Sequence, residues 1–417
     1  SDVCSSDLKV YQSLKKVTAD KKTITATGLK GELDLAGLKG EGEGRVNILL
    51  LGVGDAGHAG QGLSDTMIFT SIDPKTHDVV MVSLPRDLWV KIPGYWWSKI
   101  NAAHGFAEMD KPGSGPEVAK AVVSEVLGQP VHYFARADFS GLKKGVDAIS
   151  GIDIYNSSDL ADPEYPCDQN ESWSCGFKLK AGFYHMDGSL ALKYARCRKG
   201  NCGDDFGRAA RQQAVTLAMR DQALKLGNIL NPIKISELIG IVGDHFKTDL
   251  SIEEIKRLAE IAKKVDSNSV KNKVVDGENE GLVKTSTING ASVVIPSYGV
   301  GKYSAIRSFV ASYLLDGYVK SEAAKVEIRA SGASNSAVMA LSTKLSSLGY
   351  SVVKTSYTGN ESSKTKLLVS SQNSFPYTSK YLSNRLGVQM GEQNKQKDQS
   401  SDIIIVLGDD YEPKDSN

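Results

Sequence analysis

The 417-residue chain has no apolar run approaching the roughly 18 residues that a membrane span needs, and no signal peptide is visible in it. It has almost no net charge: Lys+Arg 50 against Asp+Glu 49 leaves a formal +1. A basic footprint for nucleic acid is therefore missing, and no nucleic-acid partner is expected. No histidine sits at zinc spacing beside the cysteines, which excludes a zinc knuckle. The Gly-rich turn GVGDAGHAGQG at 52–62 lacks the lysine and hydroxyl of a phosphate-binding P-loop. There is no internal repeat, and no low-complexity segment beyond a short polar tail. What remains is ordinary globular material, 41% hydrophobic and 24% charged, long enough for two or three domains.

Against that neutral background the five cysteines are informative. Cys167 and Cys175 form one close pair, Cys197 and Cys202 another. Four cysteines allow three connectivities; local pairing is the expectation, because each pair closes a short loop containing Gly, Asn or Ser. Disulfides imply an oxidising, extracytoplasmic location. The stretch SDVCSSDL at 1–8 resembles translated adapter sequence more than native protein. It is expected to replace a lost membrane anchor, so Cys4 is left out of the pairing. Residues 9–44, rich in Lys, Thr and Gly, read as a juxtamembrane linker that completes a 1–44 segment.

Apolar periodicity organises the rest. VNILLLGVG reads as a buried strand, and TMIFTSIDPKTHDVVMVSLPRD as two strands about a turn at Asp73-Pro74-Lys75-Thr76. GPEVAKAVVSEVLGQ is an amphipathic helix with a Gly stop, and VHYFARADFSGLKKGVDAIS runs strand, turn, helix. Residues 157–182 read as a polar loop. A long helix follows, N-capped by Asp204 or Asp205, then a second at 250–265 and a strand at ASVVIP. After 320 a compact alternation of strands and helices begins. The fold class expected is α/β, a mixed sheet with flanking helices, with a second, smaller α/β domain. The boundaries fall at 45–320 and 324–410, with a tail at 411–417.

One stretch concentrates charge: ALKYARCRKGNCGDDFGRAARQQ, 191–213. If Arg196–Arg198 is extended, their side chains point to one side. If the segment from Asp205 is helical, Arg208, Arg211 and Gln212 share a face. Two guanidinium pairs would then converge on a polyanion, because the guanidinium fork matches phosphate geometry. The plainer alternative is a surface helix laced with Asp–Arg pairs. Asp65 in LSDT is either functional or a turn or capping residue. SLPRD places Arg86 and Asp87 at a strand end, and SKINAAHG adds Lys99 and Asn101. His58 reads as a loop histidine rather than a ligand.

The series NILLLG, SDT, SLPRD, KINAAH, MDGSLALKYARCR and DDFGRAARQQ, in this order over about 45–320, closely resembles the LytR–CpsA–Psr family of cell-wall glycopolymer transferases. Residues 324–410 resemble the LytR carboxy-terminal domain. The resemblance implies a single-pass membrane-anchored extracytoplasmic enzyme. Such an enzyme moves a glycopolymer from a polyprenyl-pyrophosphate carrier to peptidoglycan, with Mg²⁺ (or Mn²⁺) at the pyrophosphate. It assigns Asp65 to the metal, and Arg86, Arg196, Arg198, Arg208 and Gln212 to the pyrophosphate. Arg211 and Lys99 stand beside these as substrate-binding candidates. The family's second metal aspartate, in GVD, is displaced here to GVGD, which leaves the role of Asp55 open. Asp87 is either a general base or, ranked first, the group that orients Arg86. Segments expected to line a pocket for the lipid are AVVSEV, VHYFARADF and Val215, Leu217 and Ala218. Two further readings share the arginines: a lipid-pyrophosphate hydrolase using water as acceptor, and a non-catalytic anion- or glycan-binding envelope protein with no need of Asp65.

Overall fold

In a computed structural model of the chain, the described residues are 37–41, 44–55, 62–167, 173–203, 205–226, 232–314, 319, 322–347, 349–357, 364–370, 375–392 and 400–411. His58, Asp204, residues 1–36 and the tail beyond 411 lie outside them. The described residues of 47–71 and 77–306 make one compact unit; those of 307–411, with 39–46 and 72–76, make a second. Among the described residues no helix is long and apolar enough to cross a membrane.

The first unit is built on a six-stranded sheet. Its strands are β1 (Val46–Val53), β2 (Ser64–Ile72), β3 (Val79–Ser83), β4 (Tyr133–Asp138), β5 (Phe246–Thr248) and β6 (Lys271–Val274), in the spatial order β5-β4-β1-β2-β3-β6. β1 pairs parallel with β4, β6 parallel with β3, and β5 antiparallel with β4, so the sheet is mixed. β1 and β3 are near-continuous apolar runs because both of their faces are covered. Val46, Leu49, Val53, Phe69, Val80 and Val82 are all fully buried. Each such side chain contributes about 1.5–3 kcal/mol. The expected turn between β2 and β3 is present. The Asp73 Oδ1 accepts from the backbone N–H of Lys75 at 2.8 Å and of Thr76 at 2.9 Å.

The covering helices are α1 (Ala102–Asp110), α2 (Gly115–Leu127), α3 (Phe139–Ala148), α4 (Gly188–Arg196), α5 (Asp205–Lys225), α6 (Pro232–Val242) and α7 (Ile252–Ala262). α2 ends as its Gly stop requires, Gly128 being left-handed at φ 63°. α3 follows β4 with no intervening loop, because Asp138 itself caps it, accepting from the Gly141 N–H at 2.8 Å. α7 begins in a capping box between Ser251 and Glu254. α1 and α4 are elements that the apolar periodicity did not reveal. α4 is capped by Asp187, and its first residue must be glycine: a Cβ at Gly188 would overlap the Lys143 backbone of α3. That close approach sets where the far end of α4, Arg196, comes to lie.

The segment 157–182 is not the plain loop expected. Leu160–Asp162 pairs antiparallel with Phe177–Leu179, and Gly182–Met186 with Ile152–Asn156. Alternation in such short strands was hidden by the polar residues on their outer faces. Leu38 is buried, so the expected 1–44 linker already carries packed structure before residue 44.

The second unit is a five-stranded sheet of β7 (Lys325–Ala330), β8 (Ser351–Tyr357), β9 (Lys366–Val369), β10 (Met390–Glu392) and β11 (Ile403–Leu407), ordered β8-β7-β11-β9-β10. Helices α8 (Asn335–Ser347) and α9 (Pro376–Leu386) supply Val338, Leu345 and Leu382 to its core. Tyr411 packs against that core, so the tail begins later than expected. The carboxylate of Glu327, buried within the central strands, is matched by the Arg329 guanidinium at 2.9 and 3.2 Å and by the Ser401 hydroxyl at 2.9 Å.

Two carboxylate and imidazole sites make the units differ in acid. The Arg329 hydrogen bonds hold Glu327 at a pKa of about 2 against 4.5 unperturbed. Its stabilisation is present above pH 4.5 and is lost as the pH falls toward 2. Burial lowers the pKa of His104 below the ordinary 6.5, and its Nδ1 donates to the Gly62 carbonyl at 2.9 Å as a neutral ring. The unfolded chain therefore takes up this proton first, and stability falls as the pH drops below about 6.5. Thermal unfolding followed from pH 7.5 to 5.5 is expected to show that loss, and His104→Asn to flatten it. An equal slope in both proteins would contradict the buried-neutral assignment.

Candidate active site

A cavity of about 1020 Å³ opens in the first unit. Its wall divides by chemistry. Ile68, Leu142, Ile149, Val215, Met219, Leu238, Ile239, Val242 and Phe246 give an apolar bore; Asp65, Arg86, Asp87, Lys99, Arg196, Arg198, Arg208 and Gln212 supply charge and polarity. Of these, Asp65, Arg86, Arg198, Arg208 and Gln212, with Lys199, also line a second cavity of about 730 Å³. The apolar residues named do not. The charged side chains therefore form a partition between an apolar bore and a second space.

The partition is assembled from sequence-distant pieces. Asp65 comes from the start of β2, and its Oδ1 accepts from the Arg86 guanidinium at 2.9 Å. Arg86 and Asp87 follow β3. Asp87 meets the Lys99 ammonium at 2.6 Å and lies 3.6 Å from the Nε of Arg86. Holding two cations is the work of an orienter, which agrees with that reading of Asp87. The Arg86 Nε–H is buried without a hydrogen-bond acceptor, a donor suited to a ligand oxygen. Burial opposes the charge on Arg86, but the Asp65 carboxylate outweighs it and raises the pKa above the ordinary guanidinium value. Arg208, on the first turns of α5, pairs with Asp205 at 3.0 Å. Burial pulls its pKa below the ordinary value; Asp205 opposes the shift, while Arg86 and Arg198 add repulsion. Partly desolvated guanidinium groups repelling one another are stabilised by an anion placed among them.

Arg196 and Arg198 reach the cavity by a route other than the extended pair expected. Arg196 is the last residue of α4, and Cys197 leaves the helix at φ −53°, ψ 126°. The Arg196 guanidinium stacks 4.2 Å from the centre of the Phe139 ring and 5.8 Å from that of Tyr165. The backbone N–H groups of Arg198 and Lys199 donate to Asp162 at 3.0 and 3.1 Å. Cys197 and Cys202 are buried and joined, and the buried Cys167 is joined to the exposed Cys175, with Cα separations of 5.7 and 4.9 Å. Both local pairings expected are those in the structure. Asp162, Tyr165 and Lys199 were not singled out from sequence. Asp162 alone had a signal, an acidic residue in a cysteine-bearing segment.

Two of the candidate residues have other partners. Arg211 does not line either cavity. Its guanidinium is buried and spends its donors on three backbone carbonyls: Tyr194 at 3.0 Å, Cys202 at 2.7 Å, and Cys197. It sits one helical turn from Arg208, and helix spacing could not tell that the two point to different work. Asp55 is held at the start of α3. Its carboxylate accepts from the N–H and hydroxyl of Ser140 at 3.1 and 3.0 Å, and it groups with Asp138 and His245 within 4.8 Å. Of the segments expected to line the lipid pocket, Ala135, Ala137, Phe139 and Val215 do so, whereas Val122, Val123 and Val126 are core. The neighbouring Gln213, unremarked in the sequence, is buried and donates to the Ser83 hydroxyl at 2.9 Å and the Lys273 carbonyl at 3.0 Å. It fixes α5 to the ends of β3 and β6.

The chain resembles known proteins over much of its length. The chain is 35% identical over 213 residues to the polyisoprenyl-teichoic acid–peptidoglycan teichoic acid transferase TagU of Oceanobacillus iheyensis, covering 51% of this chain and 61% of that protein. It is 32% identical over 233 residues to TagV of Bacillus subtilis, named for the same activity, covering 54% and 56%. The matches thus span about three fifths of the relatives' length. Among solved structures, a transcriptional regulator from Enterococcus faecalis aligns with a TM-score of 0.51 at 21% identity, over 67% of this chain and 90% of that one. TagT bound to LI-WTA aligns at 0.50 and 22%, over 69% and 94%; at these identities the likeness is one of fold. Residues 323–411 match the description LytR cell envelope-related transcriptional attenuator. Residues 4–298 match the LytR_cpsA_psr family, and the chain belongs to that family.

Proposed function

We propose that the chain is a phosphotransferase that moves a glycopolymer from a polyprenyl-pyrophosphate carrier to peptidoglycan. The observation that carries this reading is the cavity whose bore is apolar and whose charged wall gathers Arg86, Arg196, Arg198 and Arg208. An inorganic or nucleotide phosphate has no use for such a bore; a pyrophosphate on a long hydrocarbon uses both parts. The transferase names of TagU and TagV support the same substrate class. Two disulfides favour an extracytoplasmic setting, and a membrane anchor N-terminal to the described residues would hold the bore near its lipid.

In the reaction the oxygen of an acceptor hydroxyl attacks the phosphorus that bears the glycopolymer. The bond from that phosphorus to the bridging oxygen breaks, polyprenyl phosphate leaves with the electron pair, and the proton of the hydroxyl passes to the departing phosphate. Charge grows on the phosphate oxygens, and the desolvated guanidinium groups stabilise it without having to reorganise. Asp87 keeps Lys99 and Arg86 aimed at them. A divalent cation, Mg²⁺ or Mn²⁺, fits Asp65: the carboxylate is a hard oxygen donor at the charged wall, and Mg²⁺ is commonly held by one or two carboxylates plus substrate phosphates. Bound there, the ion would neutralise phosphate charge.

Asp65→Ala is expected to abolish metal-dependent turnover of a lipid pyrophosphate while circular dichroism is unchanged; full turnover would remove Asp65 from the metal. Arg198 and Arg211 are expected to respond in opposite ways to lysine. Arg198→Lys keeps the charge but loses the fork, lowering turnover by about tenfold or more with little change in melting temperature. Arg211→Lys leaves carbonyls of the 197–202 loop without donors and destabilises by about 2–3 kcal/mol, read as a lower melting temperature. Wild-type turnover in Arg198→Lys would refute the bidentate contact.

A further inference from the structure

Between the charged wall and the outer surface stands a short hairpin, Trp89–Lys91 paired antiparallel with Trp97–Lys99. The register sets Trp89 opposite Lys99 and Lys91 opposite Trp97, so all four project from one face. Lys99, at one end of that face, lines the cavity and is held by Asp87. Trp97 follows about 7 Å away along the strand. At the turn Trp96 is 82% exposed, and the Lys91 ammonium lies 5.6 Å from its ring centre. The Trp97 indole rests on Gly301, a left-handed position (φ 76°) where a Cβ would come within 3.2 Å of the ring. In the same loop Tyr298 is 70% exposed. Leu88, just before the hairpin, bridges Val294, which lines the second cavity. Exposed aromatic side chains gathered beside a charged cavity mark an interaction surface.

We propose that Trp96 and Trp97, with Tyr298, form an open platform on which a peptidoglycan glycan strand stacks as the acceptor; the inference rests on the function proposed above. Flat indole faces match the C–H faces of pyranose rings, while Lys91 and the Tyr298 hydroxyl meet hydroxyls at the rim. The platform is continuous with the charged wall, so a strand lying on it presents a hydroxyl beside the phosphates. An extended strand of a cross-linked polymer cannot enter a closed space and must be met on an open surface. The sugars of the donor, tethered to the pyrophosphate, have the second cavity beside the arginines. A membrane surface fits the other end of the site better. There the exposed side chain is aliphatic, Ile241 at 52%, on the helix that supplies Ile239 and Val242 to the bore.

The test is calorimetric binding of a soluble, uncross-linked peptidoglycan strand to the full chain, without lipid. Trp96→Ala is expected to weaken binding by about tenfold, and Trp96→Phe to stay near wild type. Trp173→Ala, an exposed tryptophan outside the platform, is expected to leave affinity unchanged. Equal affinity in wild type and Trp96→Ala overturns the inference. So does an unchanged strand affinity accompanied by weaker binding to phosphatidylglycerol vesicles, which would assign the platform to the membrane. Binding of polyprenyl pyrophosphate to the wild type is measured separately. Its failure strikes the proposed function, whereas its success with no effect of Trp96→Ala strikes the platform alone.

Discussion

Three carbonyl oxygens around one buried guanidinium hold the charged wall together. Arg211 reaches from α5 to the last turn of α4 at Tyr194 and to both ends of the loop closed by Cys197 and Cys202. Peptide oxygens at a helix end and in a tight loop have no partners of their own, and a planar fork of donors satisfies several at once. The consequence is geometric. Arg196 and Arg198 flank Cys197, and Arg208 stands one turn before Arg211, so the same fork sets the spacing between the guanidinium groups on either side of it. The cystine fixes the loop's ends and Asp162 fixes its middle, through the N–H groups of Arg198 and Lys199.

Such a wall is costly without an anion. Arg208 is buried close to Arg86 and Arg198, and like charges at low dielectric repel. The carboxylates present offset part of this: Asp65 on Arg86, Asp205 on Arg208, Asp87 on Lys99. Each of these carboxylates also leaves its cation aimed at the cavity. The rigid sheet beneath, with Gln213 tying α5 to β3 and β6, keeps the repelling groups from moving apart. Preorganisation of this kind is what a site needs when charge develops on a substrate held among the groups.

Much of this was legible in the residues. β1, β2, β3 and β4 announce themselves as apolar runs ended by turn chemistry, and α2, α5 and α7 by periodicity and caps. The SDT, PRD and RCR segments mark the side chains that do meet at the wall. What was hidden has two physical sources. α4 packs two faces unequally and is short, so its pattern MDGSLALKYARCR reads as either strand or helix until Gly188 is seen against Lys143. The division of labour between Arg208 and Arg211 depends on which carbonyls lie within reach, and no spacing along one helix contains that. The same holds for Asp55, whose hydrogen bonds to Ser140 are visible only once α3 is in place.

The partition between the two cavities also fixes handedness. Asp65, Arg86, Arg198, Arg208 and Gln212 face the bore on one side and the second space on the other. In the proposed reaction, a lipid phosphate leaving toward the bore obliges the incoming oxygen to approach from the far side of the phosphorus, because attacking and departing oxygens stand in line. One such displacement turns the phosphorus inside out, like an umbrella in wind. A phosphodiester made in this site from a chirally labelled pyrophosphate would therefore carry the inverted configuration, a record of the wall written into the product itself.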